Sequence, residues 1–279
     1  MAANTIIDDP LAPVPMPEQA PATDGFAQLP VGRIWYRDSG GAGVPIVFLH
    51  PAASGDPLLW GYQQPFFVKA GYRVITYARR SYYKSDRAPQ EHPGNAAEDL
   101  SQLLKALNLP RAHIVSSGAG GSVAADHALT HPDQVRTLTV SSNYAGVRSG
   151  YIYEAAQRAR VKQWNELPRW YREFSTSYIV ANPDGLKRWM SLQEEATKGK
   201  GIEQESYNLI DEAKLGDFKV PVFLLTGDAD SSTPPSLMRM LARHIPDVEL
   251  TIVPETGHSP YWERPGVFNH ALLDFLRKH

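Results

Sequence analysis

Cysteine is absent from this sequence of 279 residues. Disulfide bridges, thiolate metal sites and a cysteine nucleophile are therefore excluded. The sequence also has no large excess of positive or negative charge, because 28 basic and 30 acidic residues give a formal net charge of −2. Without a basic stripe or a polybasic run, the sequence disfavours nucleic acid and membrane surfaces as partners.

Long apolar runs are also missing, and no stretch is long enough to cross a bilayer. Residues 1–24 have neither the basic start nor the apolar segment of a signal peptide, so we expect a cytoplasmic protein. Proline and alanine dominate these residues, which predicts an extended N-terminal arm rather than a folded element.

Strand-like and helix-like segments alternate from about residue 31 onward. The short apolar runs at residues 44–50, 72–78 and 220–227 are typical of strands buried on both faces. Residues 95–107 carry leucine and alanine at helical spacing. This alternation predicts an α/β fold with a mostly parallel central sheet and helices on both faces.

The segment AHIVSSGAGGS at residues 112–122 places a glycine-rich turn between a predicted strand and a predicted helix. It resembles the nucleophile elbow, G-x-S-x-G, of the α/β-hydrolases. The strand ends at Val115, and the pair Gly120-Gly121 lets the following helix pack closely. This register puts Gly118 where the family has its nucleophilic serine, and glycine cannot form a covalent intermediate.

Three further segments resemble the same family, in the family's chain order. FLHP at residues 48–51 is similar to the strand end that begins the oxyanion loop. LTGDAD at 225–230 is similar to the strand end with the triad acid, and VPETGHSP at 253–260 to the loop with the triad histidine. The match covers nearly everything after about residue 31 and implies the α/β-hydrolase fold.

Helical stretches rich in aromatic side chains replace the strand runs between about residues 146 and 216. This insertion lies where enol-lactonases, epoxide hydrolases and C–C hydrolases have a cap domain. The resemblance therefore implies an extended arm at 1–24, a hydrolase core in two parts at 25–145 and 217–279, and a helical cap at 146–216.

The resemblance makes His258 the general base or acid, because a histidine on this loop has a pKa suited to neutral pH. Asp230 would accept the other ring N–H, which fixes the tautomer and stabilises the imidazolium. Asp228 lies two residues away and competes for this role, although it could instead cap the helix that begins near Pro234. The expected catalytic positions are thus His258, Asp230 and Gly118.

The family's oxyanion hole consists of backbone N–H donors, which here correspond to Ala52 and Ala119. Candidate substrate-binding side chains lie near the carboxyl ends of strands or in the cap: His50, Trp60, Tyr82, Tyr83, Trp170 and Trp189. Core packing between cap and sheet is the alternative role for at least half of the aromatic rings. Arg79, Arg80 and Lys84 are expected to be solvated or ion-paired, with anchoring of a substrate acid as the alternative, and no metal or cofactor is expected.

The serines around the turn are alternatives to the missing nucleophile. Ser117 precedes the elbow and should point away from the pocket, whereas Ser122 lies one helical turn further on and should face the helix packing. Ser116 lies at the strand end. Their expected role is hydrogen bonding and close packing rather than catalysis.

Three functions remain open. The first is an enzyme that uses His258 and Asp230 without covalent catalysis, as a water-activating hydrolase or as a lyase, isomerase, cyclase or cofactor-free oxygenase. The second is a serine hydrolase engineered at position 118, and the third is a non-catalytic ligand-binding protein. Retention of both His258 and Asp230 speaks against the third. We expect a small, largely apolar, carbonyl-containing substrate and a monomer or homodimer.

We predict that a fluorophosphonate probe leaves the elbow unlabelled, because Gly118 offers no hydroxyl to the phosphorus centre. Intact-protein mass spectrometry measures the labelling. A mass increase that maps to Ser116, Ser117 or Ser122 would identify a displaced nucleophile and contradict the prediction.

Overall fold

The computed structural model describes residue 9 and residues 11–30, 32–51, 55–196 and 204–279. The strands in these residues are β1 (Thr23–Leu29), β2 (Gly32–Asp38), β3 (Pro45–Leu49), β4 (Arg73–Tyr77), β5 (Ala112–Ser117), β6 (Val135–Ser141), β7 (Val222–Gly227) and β8 (Val248–Val253). They form one sheet in the order β1-β2-β4-β3-β5-β6-β7-β8. The β1–β2 and β2–β4 pairs are antiparallel and the other neighbours in this sheet are parallel, which confirms the predicted sheet.

The helices of the described residues fall into three groups along the chain. Before β6 lie α1 (Gln64–Lys69), α2 (Ala96–Ala106) and α3 (Gly120–Thr130). Between β6 and β7 lie α4 (Gly150–Ala159), α5 (Arg169–Glu173), α6 (Thr176–Ala181), α7 (Pro183–Ala196) and α8 (Glu212–Leu215). After β7 come α9 (Pro235–Ala242), α10 (Pro260–Glu263) and α11 (Pro265–Lys278). None of the helices that the structure describes is long and apolar enough to span a membrane.

Side-chain alternation along the strands builds a separate apolar core on each face of the sheet. Ile46 and Phe48 of β3 belong to one core, whereas Val47 and Leu49 belong to the other. Successive side chains of a strand point to opposite faces, so a strand covered on both sides is apolar throughout. Helices α2, α3 and α9 pack on one face and α1 and α11 on the other, which confirms the predicted layers.

The first strand, β1, is a feature that the sequence patterns do not predict. Its sequence TDGFAQL is rich in polar residues, and only Ala27 and Leu29 are buried. The strand forms because it pairs along its whole length with β2 in an antiparallel hairpin. Two residues of the predicted arm, Thr23 and Asp24, therefore lie in the sheet.

The described residues that precede β1 are hydrogen-bonded to the segment around α1. The Gln19 side chain donates to the Gly61 carbonyl at 2.9 Å, and the Ala20 N–H donates to Gln64 Oε1 at 2.8 Å. The Tyr62 hydroxyl donates to the Val14 carbonyl at 2.7 Å. These contacts hold the arm against the core without helix or strand structure in residues 13–22.

A buried ion pair fixes the loop after β4 to helix α2. Arg80 Nε lies 2.6 Å from Asp99 Oδ2, and the two side chains are 1% and 7% exposed. Gln204 Nε2 donates to the same carboxylate oxygen at 2.8 Å. Helix α2 itself begins after Asn95, whose Oδ1 accepts the N–H groups of the first turn. The pair matches the ion-paired role expected for Arg80.

We predict that Arg80→Met lowers the free energy of unfolding by about 3–5 kcal/mol, because it leaves the Asp99 carboxylate buried without its cation. Urea unfolding measures the change. The matched control is Lys278→Met in the exposed pair with Glu249, which should cost under about 1 kcal/mol. Equal losses of unfolding free energy in the two variants would show that the buried Arg80 pair stabilises the fold no more than an exposed pair does.

Candidate active site

A sharp turn carries the chain from β5 into α3 at Gly118. The backbone φ of Gly118 is +50°, a left-handed conformation that glycine adopts without strain. Its N–H donates to the Ser141 carbonyl at 3.0 Å, and its carbonyl accepts from Gly121 N at 2.9 Å. A Cβ at this position would lie 3.8 Å from His258 Nε2 and 3.0 Å from Pro51 Cβ. Residue 118 thus faces the imidazole.

The two glycines at the start of α3 bring this helix against the ends of other elements. A Cβ at Gly120 would lie 2.7 Å from the carbonyl oxygens of both Leu49 and His50. A Cβ at Gly121 would lie 2.6 Å from Asn143 Cβ. Contact this close, with backbone at Gly120 and with the Asn143 side chain at Gly121, requires glycine at both positions, as the sequence indicates.

The predicted oxyanion donors fall in two places. Ala119 is the residue immediately before α3, with φ −62° and ψ −20°. Its position at the helix N-terminus favours negative charge nearby. Ala52 lies outside the described residues, so an oxyanion hole made by this pair stays a prediction.

His258 and Asp230 form a hydrogen-bonded pair although β7 and β8 carry them on different loops. His258 Nδ1 lies 2.9 Å from Asp230 Oδ2 and 3.1 Å from Oδ1. The Asp230 side chain is fully buried, and it also accepts the N–H groups of Ser232 and Thr233 and the Thr226 hydroxyl. With Nδ1 engaged, Nε2 is the ring nitrogen on the side of Gly118.

Asp228, the competing acid, is directed elsewhere. Its side chain is exposed, and Oδ1 accepts the Thr256 N–H at 3.3 Å. Helix α9, which starts after Pro234, has no side-chain cap. The structure therefore pairs Asp230 with the imidazole, and Asp228 neither does so nor caps α9.

The charges around His258 favour its protonated form. Burial alone would lower the pKa of His258, but the contacting Asp230 carboxylate and the nearby Glu173 and Glu263 carboxylates raise it to about 9. Burial alone would also raise the pKa of Asp230, but His258 and the surrounding donors hold it below its usual value. The pair is therefore an imidazolium and a carboxylate at neutral pH.

The serines of the turn have partners of their own or lie in the sheet. The buried Ser116 hydroxyl donates to the Thr139 carbonyl at 2.7 Å. Ser117 is buried at the end of β5, opposite Ser141 of β6. Ser122 Oγ accepts from Asn143 Nδ2 at 3.4 Å. These positions agree with the packing role expected for them.

His50, Tyr82 and Arg79 form a cluster at the ends of β3 and β4. His50 is 1% exposed, and its Nε2 accepts the Arg79 backbone N–H at 3.0 Å. Burial and the Arg79 charge hold the pKa of His50 well below its usual value, so the ring is neutral. The Tyr82 ring centroid lies 5.0 Å from that of His50 and 4.9 Å from the Arg79 guanidinium carbon. Tyr83 instead packs edge-on against Trp35.

The three predicted tryptophans differ in exposure. Trp60 is 1% exposed and packs against Phe48 and Tyr261. Trp189 is fully buried, and its Nε1 donates to the Tyr261 hydroxyl at 3.1 Å. Trp170 is 37% exposed. The substrate-binding roles of His50, Tyr82, Tyr83 and these tryptophans stay predictions.

Two carboxylates near His258 were not singled out in the sequence. The Glu173 carbonyl accepts the His258 N–H at 3.0 Å, and the Glu263 carboxylate accepts the Gly257 N–H at 3.0 Å. Glu173 acts through its backbone carbonyl as well as through its carboxylate, and its distance in sequence from His258 leaves no local signal. Glu263 follows His258 by five residues, and that short spacing is the one signal available. The described residues contain no cluster of three or more histidine, cysteine, aspartate or glutamate side chains arranged to hold a metal ion.

We predict that stability falls as the pH rises from 6.5 to 9. The folded protein holds the His258 proton more tightly than the unfolded chain, so this contribution is complete below pH 6.5 and is lost as the pH rises through 9. The loss should reach up to about 3 kcal/mol. His258→Gln should remove this part of the pH dependence in urea unfolding. An unchanged pH dependence in the variant would contradict the assignment.

Comparison with known proteins places this geometry in a family. Residues 46–271 match the sequence profile of the Alpha/beta hydrolase family. A 2-hydroxy-6-oxononadienedioate/2-hydroxy-6-oxononatrienedioate hydrolase of Comamonas testosteroni is 24% identical over 272 residues, which cover 88% of this chain and 91% of that protein.

Solved structures show the same fold. A thermophilic esterase from Thermogutta terrifontis superposes with a TM-score of 0.72 at 23% identity and covers 93% of this chain and 99% of its own. The enol-lactonase from Burkholderia xenovorans superposes with a TM-score of 0.68 at 20% identity and covers 91% and 100%. The predicted fold and enzyme class are confirmed: the chain belongs to the α/β-hydrolase family and is an enzyme of that fold.

Proposed function

We propose that this enzyme acts on a small, largely apolar, carbonyl-containing substrate by acid–base chemistry at His258 and Asp230, without a covalent serine intermediate. The observation that carries the proposal is the direction of Gly118. A side chain there would start 3.8 Å from His258 Nε2, which is where a nucleophile would exchange its proton with the base. Glycine has no atom that can attack, so the histidine must exchange its proton with water or with the substrate.

His258 supports such a reaction through its charge state. With Asp230 bound to Nδ1, the proton available for transfer is on Nε2, the nitrogen on the side of Gly118. A pKa of about 9 makes His258 a proton donor at neutral pH, suited to a carbonyl or enolate oxygen. After donation the neutral imidazole is a base that can activate water. Backbone N–H groups of Ala52 and Ala119 would stabilise negative charge on the substrate oxygen.

Residues 146–216 would form the cap over this site, between core segments 25–145 and 217–279 and with the arm at 1–24. Helices α4 to α8 lie in the described part of this stretch, which also contains Glu173, the residue whose carbonyl accepts the His258 N–H. The side chains proposed to contact the substrate come from both parts: His50, Trp60, Tyr82 and Tyr83 from the core, Trp170 and Trp189 from the cap.

The names of the relatives support a conjugated carbonyl substrate. One is named for 2-hydroxy-6-oxononadienedioate and another for 2-hydroxy-6-oxo-6-phenylhexa-2,4-dienoate, and both names describe a ketone conjugated to a diene. Hydrolysis by activated water and a lyase, isomerase, cyclase or cofactor-free oxygenase reaction that begins with proton transfer to or from the substrate use the same groups here. In both, His258 moves the proton and Asp230 holds the ring.

We predict that His258→Ala lowers kcat/KM by about 10²–10⁴-fold on whichever compound of a panel of enol-lactones and 2-hydroxy-6-oxodienoates the native enzyme turns over. The loss follows because the variant has no group to exchange the proton. Circular dichroism checks that the fold is intact. Near-native turnover by a folded variant would remove His258 from the mechanism.

We predict that Gly118→Ser acquires hydrolysis of p-nitrophenyl acetate and labelling by a fluorophosphonate, because it adds a hydroxyl opposite His258 Nε2. Both rates should rise with pH toward about 9, because only the neutral imidazole can accept the serine proton. The serine must adopt φ near +50° and a tight contact with Pro51, at a cost of about 1–3 kcal/mol. Gly118→Ala is the matched control, since it has the same strain without the hydroxyl.

The rate of the native reaction in Gly118→Ser distinguishes the acid–base enzyme from a serine hydrolase altered at position 118. If Gly118→Ser accelerates it, the protein is a serine hydrolase that lost its nucleophile at position 118. If the variant gains neither labelling nor esterase activity over Gly118→Ala, residue 118 does not occupy the nucleophile position, and the proposed site is wrong.

A further inference from the structure

The loop that carries His258 is held by more than the bond from the imidazole to Asp230. Three consecutive backbone N–H groups of this loop have acceptors. Gly257 N lies 3.0 and 3.1 Å from the two carboxylate oxygens of Glu263, and Ser259 N lies 3.4 Å from Glu263 Oε1. The His258 N–H between them donates to the Glu173 carbonyl at 3.0 Å. The backbone around the catalytic histidine therefore has its own anchors.

The Glu263 carboxylate also reaches a different part of the chain. Its Oε2 accepts the N–H of Ser175 at 2.9 Å, and Ser175 lies between α5 and α6 of the helical insertion. The residue is only 5% exposed. One buried carboxylate thus receives donors from both the histidine loop and the insertion, and the two segments share it.

The packing of these two segments leaves no room for a side chain between them. A Cβ at Gly257 would lie 2.5 Å from Ser175 N and 2.7 Å from the Phe174 carbonyl carbon. Ser259 Oγ donates to Glu173 Oε2 at 3.4 Å, which adds a second polar contact across the same junction. The loop therefore contacts residues 173–175 through the backbone of Gly257 and His258 and through the side chain of Ser259.

We infer that Glu263 is a positioning residue that fastens the His258 loop to residues 173–175 of the helical insertion and so sets where the imidazole lies. Asp230 restrains one ring nitrogen, and a single hydrogen bond leaves the backbone of the loop free to shift. Glu263 and the Glu173 carbonyl restrain that backbone on both sides of His258. The importance of this for catalysis rests on the proposed function, whereas the junction itself does not.

The number of N–H groups that Glu263 accepts explains why a carboxylate is used at this position. An apolar side chain would leave the N–H groups of Gly257 and Ser175 buried without acceptors, at a cost of about 1–3 kcal/mol each. Burial raises the pKa of Glu263 to about 7, although the donors from Ser175, Gly257 and Ser259 act in the opposite direction. The titratable groups that interact with its charge include His258 on the adjacent loop and Tyr178 from the insertion.

The test compares Glu263→Gln and Glu263→Asp with Glu173→Gln. The glutamine removes the charge and places an NH₂ group against N–H donors, and the aspartate keeps the charge but withdraws it by one methylene. The control removes a carboxylate that also acts on His258 and leaves the Glu173 carbonyl in place. Amide hydrogen exchange of residues 257–259 reports the loop, and ¹⁵N NMR titration of His258 reports the local charge.

We expect both Glu263 variants to raise the exchange rates of the three loop amides by about tenfold or more, and Glu173→Gln to change them by less than about twofold. The pKa of His258 should fall in both glutamine variants and stay nearer its native value in Glu263→Asp. If the loop amides of the Glu263 variants exchange as slowly as those of Glu173→Gln, Asp230 alone holds the loop and the inference is wrong.

The native enzyme provides the same test without substitution, in case the Glu263 variants do not fold. Under mild denaturant, the amides of residues 257–259 should become exchangeable together with the Ser175 amide, because these donors share one carboxylate. Independent opening of Ser175 and the loop would overturn the junction. Neither experiment measures turnover. A negative result would therefore refute the inferred junction without bearing on the proposed acid–base function.

Discussion

The close approach of α3 to the carboxyl ends of β3 and β5 is the constraint on which the site depends. It requires a left-handed backbone at Gly118 and the absence of a Cβ at Gly120, where any side chain would meet the carbonyl oxygens of Leu49 and His50. The bond from Gly118 N to Ser141 O ties the turn to β6 as well. Residue 118 can face the histidine only because this turn is so tight.

Parallel strand order then brings distant residues to the same edge of the sheet. Gly118 follows β5, Asp230 follows β7 and His258 follows β8, and the carboxyl ends of parallel strands meet at one edge. Asp230 and His258 are 28 residues apart in sequence and 2.9 Å apart in space. The buried aspartate could not remain ionised there without the imidazolium and the backbone donors around it.

The helical insertion takes part in the electrostatics of the site as well as in its shape. Glu173 from the insertion and Glu263 from α10 add negative charge to that of Asp230 near one histidine. The protonated imidazole and Arg169, whose Nε lies 3.8 Å from Glu173 Oε1, are cations that oppose this negative charge. The proposed proton transfer at His258 depends on this charge balance and on glycine at position 118.

Local patterns in the sequence determined the strands, the glycine turn and the order of the site residues. The apolar run at 72–78 contains β4, and the Gly120-Gly121 pair begins α3, because burial on two faces and backbone contact restrict residue type locally. The family's spacing favoured Asp230 over its competitor Asp228, and the structure separates them because Asp230 is buried against His258 and Asp228 is exposed. Strand β1 became visible only through its pairing with β2. The positioning role inferred for Glu263 was likewise decided by tertiary structure. This buried carboxylate accepts N–H groups from distant residues such as Ser175, 88 residues away, and no local sequence pattern shows such contacts.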